Sequence, residues 1–384
     1  MAAVSRVRYL GAMTWAILVT AALTGCHAPD TVSAASVSSA PAPAAAARDT
    51  ALTRARVWSP PPIDPGSADF RSNTPGPGAF DANADVDCTF VVEPVGGSTP
   101  KFRCELPGGK HVKVKYGGPN GELPAEVAGT RLLAALGFPA DRMNRVHSVR
   151  CRGCPLLPQQ ALQCLARGGP PALCLHGANA STIVTFSPAV IEQPMAGTKI
   201  EAADGQGWSW YELEKIDPKA GGSPRSEVDA LRLMAVLLAH WDNKGANQKL
   251  ICPPGADAPD GSCRTPLAAI GDLGSTFGPG KVDLLHWQRV PIWSDAGACR
   301  VSMTALPYGG ATFPDTPISE AGRQFALRLL TPLTREQLDA LFTSSGVTEF
   351  PHVVAAARQP RAWTDVFLDK VHQIETAGPC PTAP

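Results

Sequence analysis

The stretch that decides the fold runs Ser226-Glu227-Val228-Asp229-Ala230-Leu231-Arg232-Leu233-Met234-Ala235-Val236-Leu237-Leu238-Ala239-His240-Trp241-Asp242-Asn243-Lys244-Gly245-Ala246-Asn247. Its first part carries a near-continuous apolar face at helical spacing, as expected of a helix buried inside a domain. It then passes without a break into a polar loop holding an acid, a lysine and two amides. Twenty-one residues later comes a short apolar strand, Ala268-Ala269-Ile270, which ends in Gly271-Asp272-Leu273-Gly274. Between the two, Cys252 and Cys263 bracket an insertion and can pair. An acid, two amides and a second acid therefore lie close in the chain.

Upstream the periodicity is that of strands. C-T-F-V-V-E-P-V from Cys88, K-F-R-C-E-L from Lys101 and K-H-V-K-V-K-Y-G from Lys110 are separated by turns rich in Gly and Pro, and they predict an antiparallel meander. Cys88 and Cys104 fall on the first two strands and can pair across the hairpin. In the third, Val112 and Val114 alternate with Lys113 and Lys115, so one face is apolar and the other cationic. Pro124 is placed as a first helical residue, Gly137 and Pro139 as the stop, and Glu126 falls in the first turn of the helix between them. Residues 145–155 and 181–192 each read as a further strand. Around residues 318–376 three more helices are expected, one capped by Ser319 and one opened by a Thr334/Gln337 capping box.

His240-Trp241-Asp242-Asn243-Lys244-Gly245-Ala246-Asn247 resembles the protein-kinase catalytic loop H-R-D-x-K-x-x-N, and Asp272-Leu273-Gly274 resembles the metal-binding D-F-G element. A strand lysine followed by a helix glutamate has the same order as in kinases. The resemblance covers residues 88–278 at motif level. It is to the atypical branch, meaning phosphatidylinositol-kinase-like, HipA-like and secretory-pathway kinases, since a G-x-G-x-x-G loop and an A-P-E motif are absent. It implies an α+β, two-lobed protein-kinase-like fold, a small antiparallel β lobe (85–200) followed by a mainly helical lobe (201–384).

By that resemblance Lys115, or Lys113 on the same face, holds nucleotide phosphates and Glu126 orients it. The Gly96-Gly97 turn covers the phosphates, Asp242 is the catalytic acid or base, and Asn247 and Asp272 are metal ligands. The implied cofactors are Mg²⁺ or Mn²⁺ with ATP or another nucleotide. The implied activity is transfer of a phosphoryl or nucleotidyl group to an acceptor the sequence does not name. The alternative is a pseudokinase-like binding or envelope-scaffolding protein without catalysis. No Ser-His-Asp order, H-E-x-x-H or P-loop supports a hydrolase or a nucleotide switch.

The start of the chain carries an expectation about location. Arg6 and Arg8 precede an apolar run, Leu10 to Leu23, that ends in Leu23-Thr24-Gly25-Cys26. This resembles a bacterial lipoprotein signal (1–25), with Cys26 acylated and held in the bilayer; His27 in place of an aspartate points to the outer membrane of the cell envelope. Residues 26–84, rich in Ala, Pro and Ser, are expected to be a disordered tether. Of 11 cysteines, ten then remain for an oxidising compartment. Cys151 and Cys154, with Cys164 and Cys174, form either two disulfides or, with His176 nearby, a zinc site; Cys299 and Cys380 are the last candidate pair. A formal net charge of +0 over 384 residues leaves no global electrostatic source for nucleic-acid binding.

Overall fold

The alternating strands and periodic helices fold as a mixed α+β structure. The computed structural model describes residues 42–381 apart from 98, 203 and 307–309. The signal segment and Cys26 lie outside the described residues. The elements are α1 (Ala42–Thr53), β1 (Asp85–Val91), β2 (Lys101–Glu105), β3 (His111–Tyr116), α2 (Glu122–Leu136), β4 (Arg142–Val146), β5 (Ser148–Arg152), α3 (Pro158–Ala166), α4 (Pro171–Cys174), β6 (Ile183–Phe186), β7 (Ala189–Gln193), β8 (Thr198–Lys199), α5 (Arg225–Leu237), β9 (Gln248–Cys252), β10 (Leu267–Ile270), α6 (Leu284–Arg289), α7 (Glu320–Leu330), α8 (Arg335–Ser344) and α9 (Pro360–Thr376).

Seven strands form one sheet in the order β4-β7-β3-β2-β1-β5-β6. The expected meander is its centre, with Lys101 opposite Lys115 and Lys113 opposite Glu192 across the ladders. Each of the two single strands expected at 145–155 and 181–192 is two strands. β4 and β7 pair at one edge and β5 and β6 at the other, so the chain crosses the sheet at His147 and again at Ser187-Pro188. Pro188 has no N–H to give a ladder, which suits a crossing point. β5 joins β1 in parallel, so the sheet is not wholly antiparallel.

The alternating valines and aromatics of this sheet bury Phe102, Val112, Val114, Val149 and Ile191 in one cluster. A larger cluster joins α2, α5, α7 and α9 through Leu132, Leu233, Ala326 and Phe367. α2 begins at Glu122, two residues before the expected Pro124, and ends at Gly137, whose φ of 86° is the left-handed cap. The three expected C-terminal helices are α7, α8 and α9, with Ser319 accepting from the Gly322 N–H and Thr334 and Gln337 capping reciprocally. Among the described residues no helix is long and apolar enough to cross a membrane.

The tether expected over 26–84 is corrected from Ala42 onward. Leu52, Ala55, Val57 and Phe70 are buried in the larger cluster. Arg48 donates to Glu212 at 2.6 and 2.9 Å and to the Gly207 carbonyl. Trp58 Nε1 donates to the Leu136 carbonyl at 2.7 Å. Composition missed this because few apolar groups are needed when each fills a site prepared by distant residues. Among the described residues they belong to the same compact unit as the sheet and the helices.

Ten cysteines pair as Cys88–Cys104, Cys151–Cys154, Cys164–Cys174, Cys252–Cys263 and Cys299–Cys380. The sulfurs considered as zinc ligands are thus paired with one another. Cys299–Cys380 closes a separation of 81 residues and Cys252–Cys263 one of 11. In the chain-entropy description the first contributes about 4 to 5 kcal/mol and the second about 3. Double replacement by alanine should lower the urea midpoint more for Cys299/Cys380 than for Cys252/Cys263; the reverse order would show that chain entropy does not govern either bridge.

Candidate functional site

Lys115 reaches its place by strand alternation. Val112 and Val114 turn into the sheet's apolar cluster, so Lys113 and Lys115 turn to the other face, where α2 lies. There Lys115, 1% exposed, forms an ion pair with Glu126, fully buried on α2, and lies 3.8 Å from Glu192 Oε2 on β7. Lys113 binds Glu192 at 2.6 and 2.8 Å. The two lysines left open by the sequence therefore have different partners, and only Lys115 meets Glu126. Burial works against the Lys115 charge, but Glu126, Asp272, Glu192 and Glu122 outweigh it and hold its pKa well above the ordinary value. Burial, with Asp272 and Glu192 close by, pushes Glu126 well up against the pull of Lys115.

The second half of the site is set by a hairpin. β9 and β10 pair with Gln248 opposite Ile270, and the Gly271 N–H donates to the Asn247 carbonyl at 2.9 Å. Asn247, just before β9, and Asp272, just after β10, thus emerge side by side, while Cys252–Cys263 closes the far end. Asp272 accepts from the Gly274 N–H at 2.9 Å. Burial opposes its charge, yet Lys115, the Gly274 N–H, the Glu126 carboxyl and Lys101 hold it far below the usual carboxylate range. Gly274 is needed for space, since a Cβ there would stand 2.8 Å from Glu122 Cγ on the first turn of α2.

Asp242 follows α5 after Ala239, a non-glycine residue at φ 50°. Lys244 Nζ lies 3.0 and 3.1 Å from its two carboxylate oxygens, and Asn247 Nδ2 donates to its carbonyl at 2.7 Å. Asn243 holds the loop from beneath: it donates to the His240 carbonyl and accepts from the Thr312 and Phe313 N–H groups. The Trp241 N–H donates to the Ser275 carbonyl at 3.2 Å, which ties this loop to the segment after Asp272.

The structure brings together Lys115, Glu126, Asp272 and, through the hairpin, Asn247 and Asp242. The Gly96-Gly97 turn lies over β2, with the Gly97 carbonyl accepting from Gln159 Nε2 of α3 at 3.0 Å. Sequence reading missed Glu192, Glu122 and Lys101. The signal for Glu192 was an acid within the apolar run of β7; for Lys101, its place opposite Lys115 in the hairpin. Lys281, in the loop after Asp272, pairs with Glu122. A cavity of about 610 Å³ lined by Arg71, Asn120, Arg145, His147, Ser344 and Phe350, among others, contains none of these residues.

No family model matches this chain, and no curated protein matches it. Among solved structures it is similar to a Helicobacter pylori proinflammatory kinase, CtkA, at 12% identity and a TM-score of 0.42, over 77% of this chain and 98% of that one.

His240 is fully buried, and burial lowers its pKa to about 4 despite Asp272 and Asp242 nearby. An unfolded histidine takes up its proton near pH 6.5, the folded one only near pH 4. Stability is therefore lost as pH falls through that window, by about 3 kcal/mol. Urea unfolding at pH 7, 5.5 and 4.5 should show His240→Gln losing less stability than wild type across this range. Parallel curves would show that His240 is not the group responsible.

Proposed function

We propose that the protein is a membrane-anchored, extracytoplasmic kinase-like enzyme with a two-lobed arrangement, transferring a phosphoryl group from a Mg-nucleotide to an acceptor; nucleotidyl transfer uses the same groups. The observation that carries this is the convergence of Lys115, Glu126 and Asp272 from three separate elements, with Asn247 held beside Asp272. Phosphoryl transfer needs little covalent chemistry from the protein and much positioning and charge, which is what such a cluster supplies.

The residues fit a hard divalent cation. Asp272 is kept ionised, and Asn247 donates through its amide nitrogen, which leaves its side-chain oxygen for a ligand. The cation, when bound, offsets the phosphate charge. Lys115 orients the phosphates and Glu126 fixes Lys115. Asp242 takes the proton from the acceptor hydroxyl as its oxygen bonds to the terminal phosphorus, and the bond from that phosphorus to the bridging oxygen breaks with its electron pair leaving on the nucleoside diphosphate. Acylated Cys26 would hold this site at the envelope membrane.

ATP, GTP or ADP with Mg²⁺ or Mn²⁺ should raise the melting temperature, because a ligand bound only by the folded state stabilises it. Asp242→Asn should keep that shift and its own melting temperature, yet lower transfer by about a hundredfold or more. Undiminished turnover would remove Asp242 from the mechanism. A nucleotide shift without turnover in wild type would leave the binding and scaffolding alternative.

A further inference from the structure

Three lysines project from β2 and β3 towards α2 and the glycine turn, and the protein itself neutralises two of them. Lys115 has Glu126 and Lys113 has Glu192. Lys101 stands directly opposite Lys115 in the β2–β3 ladder and shares its face. It is 8% exposed, and among the described residues it has no hydrogen-bond or ion-pair partner. Its ammonium lies under the glycine turn, where a Cβ on Gly97 would stand 3.1 Å from Nζ; Gly97 also has φ +83°, so a side chain there would be both strained and in the way.

Two cations facing each other across a ladder repel, and a buried charge without a counter-ion is costly. Burial and Lys115 together depress the Lys101 pKa, and Glu122 and Asp272 offset them only in part. Gly96 and Gly97 put no side chain of their own over the ammonium. An arriving anion would lie between Lys101 and Lys115 and turn their repulsion into shared attraction.

We propose that Lys101, beneath the Gly97 turn, is the principal anion-binding cation of this site and takes the phosphates of a polyphosphate chain. Lys115, already paired with Glu126, then acts beside it, and Lys113 serves to hold Glu192. The placement rests on the phosphoryl-transfer reading for its biological source. A nucleoside triphosphate and inorganic polyphosphate offer Lys101 the same chemistry.

The test is calorimetric titration of the full chain, purified in detergent, with sodium tripolyphosphate and separately with Mg-ATP. Lys101→Met should weaken both by about tenfold or more, as loss of a charge-assisted contact does, while Lys101→Arg restores most of the affinity and Lys113→Met leaves it nearly unchanged. The unliganded Lys101→Met protein should melt no lower than wild type, since it loses an uncompensated buried charge; a purely structural lysine would give the opposite. Unchanged ATP affinity in Lys101→Met overturns the assignment and leaves the nucleotide reading standing. Lys101-dependent binding of tripolyphosphate with no binding of any nucleotide upholds the assignment and removes the nucleotide reading. Failure of wild type to bind either overturns both.

Discussion

A single buried ammonium organises this molecule. Lys115 is almost without solvent, and its charge survives only because carboxylates reach it from three directions: Glu126 from α2, Glu192 from β7 and Asp272 from the turn after β10. Each of those elements is therefore held in register by the need to compensate one charge. If α2 rotated, Lys115 would lose its ion pair with Glu126 and keep only the more distant Glu192 and Asp272 as compensation, and breaking a buried pair is strongly destabilising. The same pull keeps Asp272 ionised although burial opposes it, and it draws the Asp272 turn against the sheet. The close approach of Gly274 to Glu122 is the steric counterpart of that attraction.

The disulfides act around this centre rather than in it. Cys252–Cys263 closes the hairpin whose open end presents Asn247 and Asp272. Cys151–Cys154 and Cys164–Cys174 brace the insertion between β5 and β6, from which Gln159 reaches back to the Gly97 carbonyl. Cys299–Cys380 fixes the end of the chain. A sheet face crowded with like charges is not a strong core by itself, and covalent closure of its surroundings limits the ways it can open.

The candidate site was legible wherever its chemistry is carried by residues close together in the chain. Asp242 and Asn247 share one loop, Asp272 ends a recognisable apolar strand, and Lys115 and Glu126 are separated by one turn and the start of a helix. Glu192 was not legible, because its meaning comes from lying opposite Lys113 across a ladder between strands almost eighty residues apart. Lys101 was overlooked for the same reason: as one lysine at the start of a strand it looks like a solvated end. The split strands at 145–155 and 181–192 escaped as well, since a run of β-forming residues does not say to which edge of a sheet each half belongs.

By itself the sequence determined the alternation that puts Lys113 and Lys115 on one face, the buried helix leading into the Asp242 loop, and the caps of α7 and α8; it offered cysteine pairs only as candidates and left Cys151, Cys154, Cys164 and Cys174 open between disulfides and zinc. The first three depend on neighbours a few residues apart, where backbone geometry dictates what shares a face. Only the tertiary structure decided that Leu52, Val57 and Phe70 belong to the core rather than to a tether. It alone decided which lysine Glu126 holds and which lysine is left without a carboxylate. Compensation of buried charge and filling of a core are settled between residues far apart in the chain, and no local pattern records which distant group arrives first.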